Sequence, residues 1–396
     1  MQHSIEAKPE NKINTDRIFH YLKGDTPGST MVFFAAVHGN ELAGVHGLNN
    51  ALEHLAPQDV KGEIYGVYGN IQAIQQGQRY ISQDLNRAWT YEKIKKVESG
   101  GHLVDEEDEL RHLLLFLENL LSKKNGPIYF IDLHTTSSQS LPFITINDTL
   151  SNRKFSKCFP VPIVLGIEEY LNGTLLSYLN TKGFVSIGFE AGQHIDPLAI
   201  EHCEAFIHLA MACSGILKNY SSQKNKRSRD KLKSVSQGVS SFFEIIDKYQ
   251  IEPNEVFAME KGFKSFETIK KGVLLAHSNG QSVHSEHDGN IFMPLYQKYG
   301  DDGFFIIRDI PVFYLWLSRI LRNLKADALL TLLPGIEWKN KEKGILIANL
   351  KTTRFMAKQV FHLFGFRQQI INEGIILLYN RERVSRNDMY KKEPWY

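Results

Sequence analysis

Cysteine is scarce. Cys158, Cys203 and Cys213 are the three cysteines among 396 residues, odd in number and without a Cys-x-x-Cys spacing. They suggest neither a disulfide framework nor a thiolate zinc site, and a reducing, cytoplasmic setting is expected. Long apolar runs are also missing. The most apolar stretch, Val312–Leu317, breaks at Ser318 and Arg319. That is far short of the ~20 apolar residues a spanning helix needs, so no membrane partner is expected. The opening MQHSIEAKPENKINTDR lacks the apolar segment of a secretory signal, and export is not expected. Nor is there an excess of one charge. The 46 Lys plus Arg stand against 44 Asp plus Glu, a formal +2, which leaves little to neutralise a phosphate backbone and argues against nucleic acid as a partner.

What the chain does have is apolar material, 42% of its residues, enough for two or three packed domains. TMVFFAAVHGNE reads as a buried strand running into a turn, followed by helical spacing over Leu42–Leu55. The strand GEIYGVYGN, a polar loop from Ile71 to about Ala88, a charged helix (Glu106–Lys123) and the strand PIYFIDLHT come next. VSIGFEAGQ is a further core strand and Pro197–Lys218 a closing helix. Strands alternating with helices predict an α/β domain over residues 1–220 with a largely parallel core sheet, whose functional groups gather at strand C-terminal ends. SSQKNKRSRDKLKS, within 221–236, reads as a solvated basic linker, because it has no apolar periodicity and no interleaved aromatics. Short strands with glycine turns predict a β-rich domain over 237–309. The remainder, 310–396, reads as an α/β module: helix Val312–Leu333, strand Lys343–Leu350, helix Thr353–Phe364 and strand Gly374–Tyr379.

His38 and Glu41 follow the first strong strand, with Gly39 allowing a tight turn between them. Imidazole nitrogen and carboxylate oxygen are ordinary zinc ligands, and a catalytic site needs three protein ligands. His134, ending the strand YFIDLH, is the candidate third. His-x-x-Glu alone is a common pattern that usually marks surface or capping residues, and the pairing of two strand ends is what gives it weight. The loop GQRYISQDLNRAW sets Arg79, Asp84, Asn86 and Arg87 within nine residues. They are suited to holding a carboxylate and stabilising negative charge, unless Asp84 and Arg87 simply pair on the surface. Glu190 is a lone carboxylate at the end of an apolar strand, where burial demands a metal, a hydrogen bond or a function. It is the candidate general base.

In this order, HGNE at 38–41, NIQAIQQGQRYISQDLNRAW at 70–89, DLHT at 132–135 and GFEAG at 188–192 resemble the succinylglutamate desuccinylase and aspartoacylase family, within the zinc carboxypeptidase-like hydrolases. The resemblance runs over roughly Ser29–Ile310, and its RYxxxDLNR segment is the most specific part. It implies an α/β fold of the zinc carboxypeptidase-like kind, a mixed sheet flanked by helices, followed here by the small β-rich domain and the C-terminal α/β appendix. It further implies one Zn2+ per chain on His38, Glu41 and His134, with Glu190 as the base that takes a proton from the activated water. Arg79 would polarise the scissile carbonyl, Asn86 and Arg87 would grip the substrate's α-carboxylate, and Asp84 and Asp132 would orient the ligand histidines. The β-rich region resembles the family's cap over the active-site mouth, from which Tyr296 and Tyr299 are candidate substrate contacts, with simple packing or solvent exposure an equal alternative.

The chain departs from the family where specificity is set. Asn180 stands ten residues before Glu190, where N-acetylaspartate-preferring aspartoacylases carry an arginine, and Ala191-Gly192-Gln193-His194 replaces a Gly-Pro turn. The expected activity is therefore hydrolysis of a small N-acyl amino acid of N-acetyl or N-succinyl type, with the acyl group left open. A metallocarboxypeptidase for short peptides and a zinc-containing binding protein without turnover are the alternatives. His284 and His287 read as a polar hairpin rather than a second metal site. A homo-oligomer is left open.

Overall fold

In the computed structural model, residues 16–123, 126–218, 222–349, 358–372 and 374–396 are described. Strands β1 (Ile18–Lys23) and β2 (Thr26–Ala35) lead into helix α1 (Ala43–Leu52) and β3 (Lys61–Tyr68). Helices α2 (Ile71–Gln76), α3 (Tyr91–Glu98) and α4 (Glu106–Lys123) precede β4 (Ile128–Thr136). Then come β5 (Phe143–Ile146), α5 (Leu150–Ser156), β6 (Ile163–Leu165), α6 (Leu175–Thr181), β7 (Val185–Gln193) and α7 (Leu198–Cys213). The stretch read as one polar loop thus begins with a helix, α2, because Asn70 caps it by accepting a hydrogen bond from the Ala73 N–H and Gly77 ends it in the left-handed region.

β3, β2, β4 and β7 are parallel neighbours, with Ala35 opposite Leu133 and His134 opposite Glu190. Met31–Ala35 and every residue of β4 are buried, as strands covered on both faces must be. One face packs on α1, α5 and α7 through Leu48, Phe155 and Phe206, the other on α4 and α6 through Leu113, Leu117 and Leu179. The 3.6-residue spacing of Leu110, Leu113, Leu117 and Leu120 puts one stripe of α4 against that second face. Each fully buried leucine there stabilises the fold by about 1.5–3 kcal/mol.

The basic run read as a linker is helix α8 (Ser222–Val235), held on α7 by the buried Leu232 and a Lys231–Glu201 ion pair. Two apolar residues in fourteen, Leu232 and Val235, both near the end of the helix, leave no periodicity to read. The β-rich segment contains β8 (Phe242–Gln250), β9 (Phe257–Met259), β10 (Thr268–Ile269), β11 (Leu274–Ser278), β12 (Gln281–His284), β13 (Gly289–Phe292) and β14 (Asp302–Asp309). Only β12, β11 and β9 make a separate sheet; β8, β14, β13 and β10 extend the main one through β6, giving an 11-stranded mixed sheet among the described residues, ordered β1-β3-β2-β4-β7-β5-β6-β8-β14-β13-β10.

The last part holds α9 (Val312–Asn323), β15 (Ile336–Asn340), β16 (Ile345–Asn349), α10 (Lys358–Leu363), β17 (Phe366–Asn372) and β18 (Ile375–Asn380). The helix expected to reach Leu333 stops at Asn323, because Lys325 turns left-handed (φ 51°) before a 3-10 segment. β15 and β17 were not expected, and residues 350–357 of the expected strand and helix lie outside the described residues. Among the described residues no helix is long and apolar enough to cross a membrane. Two of the scattered cysteines meet in space, the thiols of Cys158 and Cys213 sharing a hydrogen bond.

Candidate active site

Three parallel strands deliver the groups. After β2 the chain bends through Ala36, held in the left-handed region (φ 54°), and reaches His38. Gly39 sits so close to α2 that a Cβ would lie 2.2 Å from the Ala73 carbonyl carbon, so no other residue fits this turn. The Gly39 N–H donates to the Arg79 carbonyl (3.1 Å) and the Glu41 N–H to the His38 carbonyl (3.0 Å), which ties the turn to the arginine loop. His134 comes from the end of β4 and Glu190 from the end of β7.

His38, Glu41 and His134 are buried and offer ligand atoms within 4.8 Å of one another, a group that could hold a metal ion. Nδ1 of His38 lies 2.9 Å from Glu41 Oε1, and Nδ1 of His134 lies 3.1 Å from Glu41 Oε2. The far nitrogens face aspartates: His38 Nε2 is 3.1 Å from Asp84 Oδ1, and His134 Nε2 makes a 2.8 Å charge contact with Asp132 Oδ2, off the line of a hydrogen bond. With Nε2 turned to an acid, each ring directs Nδ1 to one carboxylate, a convergence that needs protons or a cation between nitrogen and oxygen. The nitrogen, oxygen, nitrogen donor set suits zinc. Burial would push the Glu41 carboxyl up, but His38 and His134 outweigh it and hold it well below the usual range. Burial would lower His134, but Asp132 and then Glu41 hold it well above the usual imidazole value.

Arg79 bridges two acids, Nη1 to Glu41 Oε1 (3.1 Å) and Nη2 to Asp84 Oδ2 (3.2 Å). Glu190 is buried with Oε2 unpartnered, and burial pushes its carboxyl up to about 8 against the pull of His134. Asn86 is held through its Oδ1, which accepts from the Leu175 N–H (3.0 Å) at the start of α6. Arg87 does not pair with Asp84; its Nη2 donates to Asp302 Oδ2 (2.8 Å) on β14, an acid shared with Lys248. The Tyr296 hydroxyl donates to the Glu260 carbonyl (2.7 Å) and accepts from the Phe263 N–H (3.0 Å), so it is occupied within the β-rich segment. The ring of Tyr299 packs edge-on against Tyr80 of the arginine loop. His284 is exposed on β12, and no third ligand joins it and His287 among the described residues.

Sequence reading missed three supports. The Thr135 N–H donates to Glu41 Oε2 (2.9 Å), and its Oγ1 lies 2.7 Å from His194 Nδ1. The buried Glu106, read only as the start of a charged helix, accepts from the Ile81, Ser82 and Gln83 N–H groups and so anchors the arginine loop. A lone Glu among the four acids opening α4 gave no signal; only the bare donors of the facing loop explain it.

Residues 27–199 match the family model described as the succinylglutamate desuccinylase/aspartoacylase catalytic domain. Aspartoacylase of Mus musculus is 29% identical over 185 residues, 42% of this chain and 55% of that protein. A probable aspartoacylase of Acaryochloris marina is 37% identical over 81 residues, 20% of this chain and a quarter (25%) of that protein's length. Among solved structures, the succinylglutamate desuccinylase/aspartoacylase of Rhodobacter sphaeroides has a TM-score of 0.54 at 17% identity, covering 74% of this chain and 88% of that one. The product-bound ectoine utilization protein EutE of Ruegeria pomeroyi has 0.54 at 17%, covering 73% and 87%. At such identities these two establish the fold alone. The family-model match stops at residue 199, whereas the succinylglutamate desuccinylase of Shewanella woodyi aligns over 283 residues at 24% identity, 66% of this chain and 76% of that protein. The segment 27–199 thus matches the succinylglutamate desuccinylase/aspartoacylase catalytic-domain model, and the chain shares the fold of solved structures that carry those names.

Proposed function

We propose that the protein is a zinc-dependent hydrolase that cleaves the amide bond of a small N-acyl amino acid. The observation that carries this reading is the convergence of His38, Glu41 and His134 within 4.8 Å, with the unpartnered Glu190 carboxyl on the adjoining strand. The names of the relatives point to N-acyl amino acids as the substrate class. Held by the three ligands, a zinc ion would polarise the scissile carbonyl, acidify the attacking water and favour the ionised form of Glu190.

Glu190 takes a proton from the attacking water as the new C–O bond forms, then returns it to the amine nitrogen as the C–N bond breaks. One carboxylate thus serves both halves of the reaction. Arg79 holds negative charge developing on the carbonyl oxygen, kept in place by Glu41 and Asp84. Asp84 and Asp132 fix the ligand histidines. Asn86 and Arg87 receive the substrate's α-carboxylate, which competes with Asp302 for the guanidinium. Tyr296 and Tyr299 contribute from the cap by packing, since the Tyr296 hydroxyl is already engaged. A mouth bounded by the β-rich segment favours small substrates over long peptides.

The test combines metal analysis with a panel of N-acetyl, N-succinyl and N-formyl amino acids beside short peptides. About one zinc per chain and amine release from the acyl amino acids, lost in Glu190→Gln, are expected. A zinc-loaded protein that releases amine from no member of the panel overturns the reading, and preference for peptides replaces it with a metallocarboxypeptidase.

A further inference from the structure

A cavity of about 720 Å³ lies away from the metal ligands, where α5, α8 and α9 meet. Its size falls within the ~300–1,000 Å³ of small-molecule sites. Five cations line it: Arg153, Lys154 and Lys157 from the α5 end, Arg229 from α8 and Arg319 from α9. No carboxylate lines it among the described residues. Asp148 pairs with Arg153 from behind (Nη2 to Oδ2 2.7 Å), yet Arg153 Nη1 is buried with no partner. Lys157, Arg229 and Arg319 form no side-chain hydrogen bond or ion pair among the described residues. Lys154 lies over the Tyr396 ring and Lys157 over that of Phe242.

Like charges gathered in a concave site repel one another, and the strain shows on the lysines. Burial and then Arg319 hold the ammonium groups of both Lys154 and Lys157 below the usual value. Apart from Ser240 and Ser241, the remaining wall is apolar, with Phe242, Leu315 and a half-exposed Trp316. Uncompensated positive charge beside aromatic surface fits a ligand that brings several negative charges and an apolar body together. It also gives a use to the basic run around α8, whose Arg229 forms one wall.

We propose that this cavity binds an organic oligophosphate, a molecule joining two or more phosphate charges to an aryl or acyl part. The cations of α5, α8 and α9 hold the phosphates, and Phe242, Leu315 and Trp316 cover the apolar part. The site is separate from the hydrolytic centre and does not depend on its zinc reading.

Isothermal titration of the full chain with ATP and with hexanoyl-coenzyme A tests the aryl and acyl arms, inorganic pyrophosphate tests charge alone, and phosphatidylserine vesicles test a lipid surface. At least one organic probe should bind one per chain, more tightly than pyrophosphate and more weakly as salt rises. Lys157→Glu and Arg319→Glu, both at exposed positions and checked for folding by circular dichroism, should each weaken it at least tenfold, while Lys264→Glu in the β-rich segment should not. Trp316→Ala should weaken the organic probe and leave pyrophosphate unchanged. Binding of neither organic probe, equal binding by the charge-reversed variants, or binding of the vesicles alone would each overturn the proposal.

Discussion

Glu190 is a carboxyl surrounded by reasons not to ionise. Burial is the largest, His134 opposes it, and Glu41 and Asp132 add to it, so the proton stays on up to about pH 8 against an ordinary value of 4.5. A folded-state value raised above the unfolded one means that the native state binds more protons between those limits, and stability falls as pH rises through them. With a chelator present, the urea midpoint of the wild type should decline from about pH 5 to 8, and that of Glu190→Gln should be flatter. Equal slopes in the two proteins would place the conflict elsewhere. With zinc, the same substitution should lower turnover by roughly 10²–10⁴-fold without loss of metal, the usual share of a general base. For the aspartates behind the imidazoles, Asp84→Asn should weaken zinc affinity about 10–100-fold, read by competition with a chromogenic chelator. The candidate cluster of His38, Glu41 and His134 was legible because HGNE closely follows one core strand and DLHT ends another. Thr135 was not, because it serves through a backbone N–H that every residue but proline carries.

The elements differ in how openly they announce themselves. β2, β4 and β7 are buried on both faces, and such strands must be written as continuous apolar runs. α8 owes its place to Leu232, Val235 and an ion pair, and β6, three residues long, is a strand only because β5 and β8 lie on either side. Neither cause is local, so neither is visible in a window of sequence. The arginine loop is of this second kind. Its order depends on the buried Glu106 carboxylate, which accepts from Ile81, Ser82 and Gln83 N–H groups, the Ser82 hydroxyl and Asn70 Nδ2. Glu106→Gln would turn an NH2 toward some of these donors, leaving buried groups unpaired at a cost of about 1–3 kcal/mol. Urea denaturation should register that loss, and turnover should fall with it because Arg79 and Asp84 ride on the loop. Unchanged stability would mean that the loop is anchored elsewhere.

At the scale of the whole molecule, the C-terminal module is fastened by buried charge to the segment that matches the family model. Arg322 of α9 reaches Asp148 Oδ2 (2.6 Å), the Asp148 carbonyl (2.9 Å) and Glu382 Oε1 (3.1 Å), while Arg381 pairs with Glu168 (2.8 Å) and Glu169 (2.7 Å). The tail then returns to the central strands, where the Tyr390 hydroxyl donates to the Ile128 carbonyl and accepts from the Val185 N–H (2.9 Å). Such a module is part of the folding unit, although nothing in its sequence says which partner its arginines meet. Asp148 is the hub: burial would raise its carboxyl, but Arg153 and then Arg322 hold it well below the usual carboxylate range. Asp148→Asn leaves two buried guanidinium groups short of a counter-charge, which should cost about 3–5 kcal/mol at pH 7. A depressed carboxyl contributes stability that is present above its unfolded value and lost as pH falls below it. The wild type alone carries that titration, so the gap in melting temperature between it and Asp148→Asn should be widest near neutrality and narrow once pH drops below about 4, close to the unfolded Asp value. A gap that stays constant through that acid range would mean that the ion pairs do not fasten the module, and that its apolar contacts alone hold it in place.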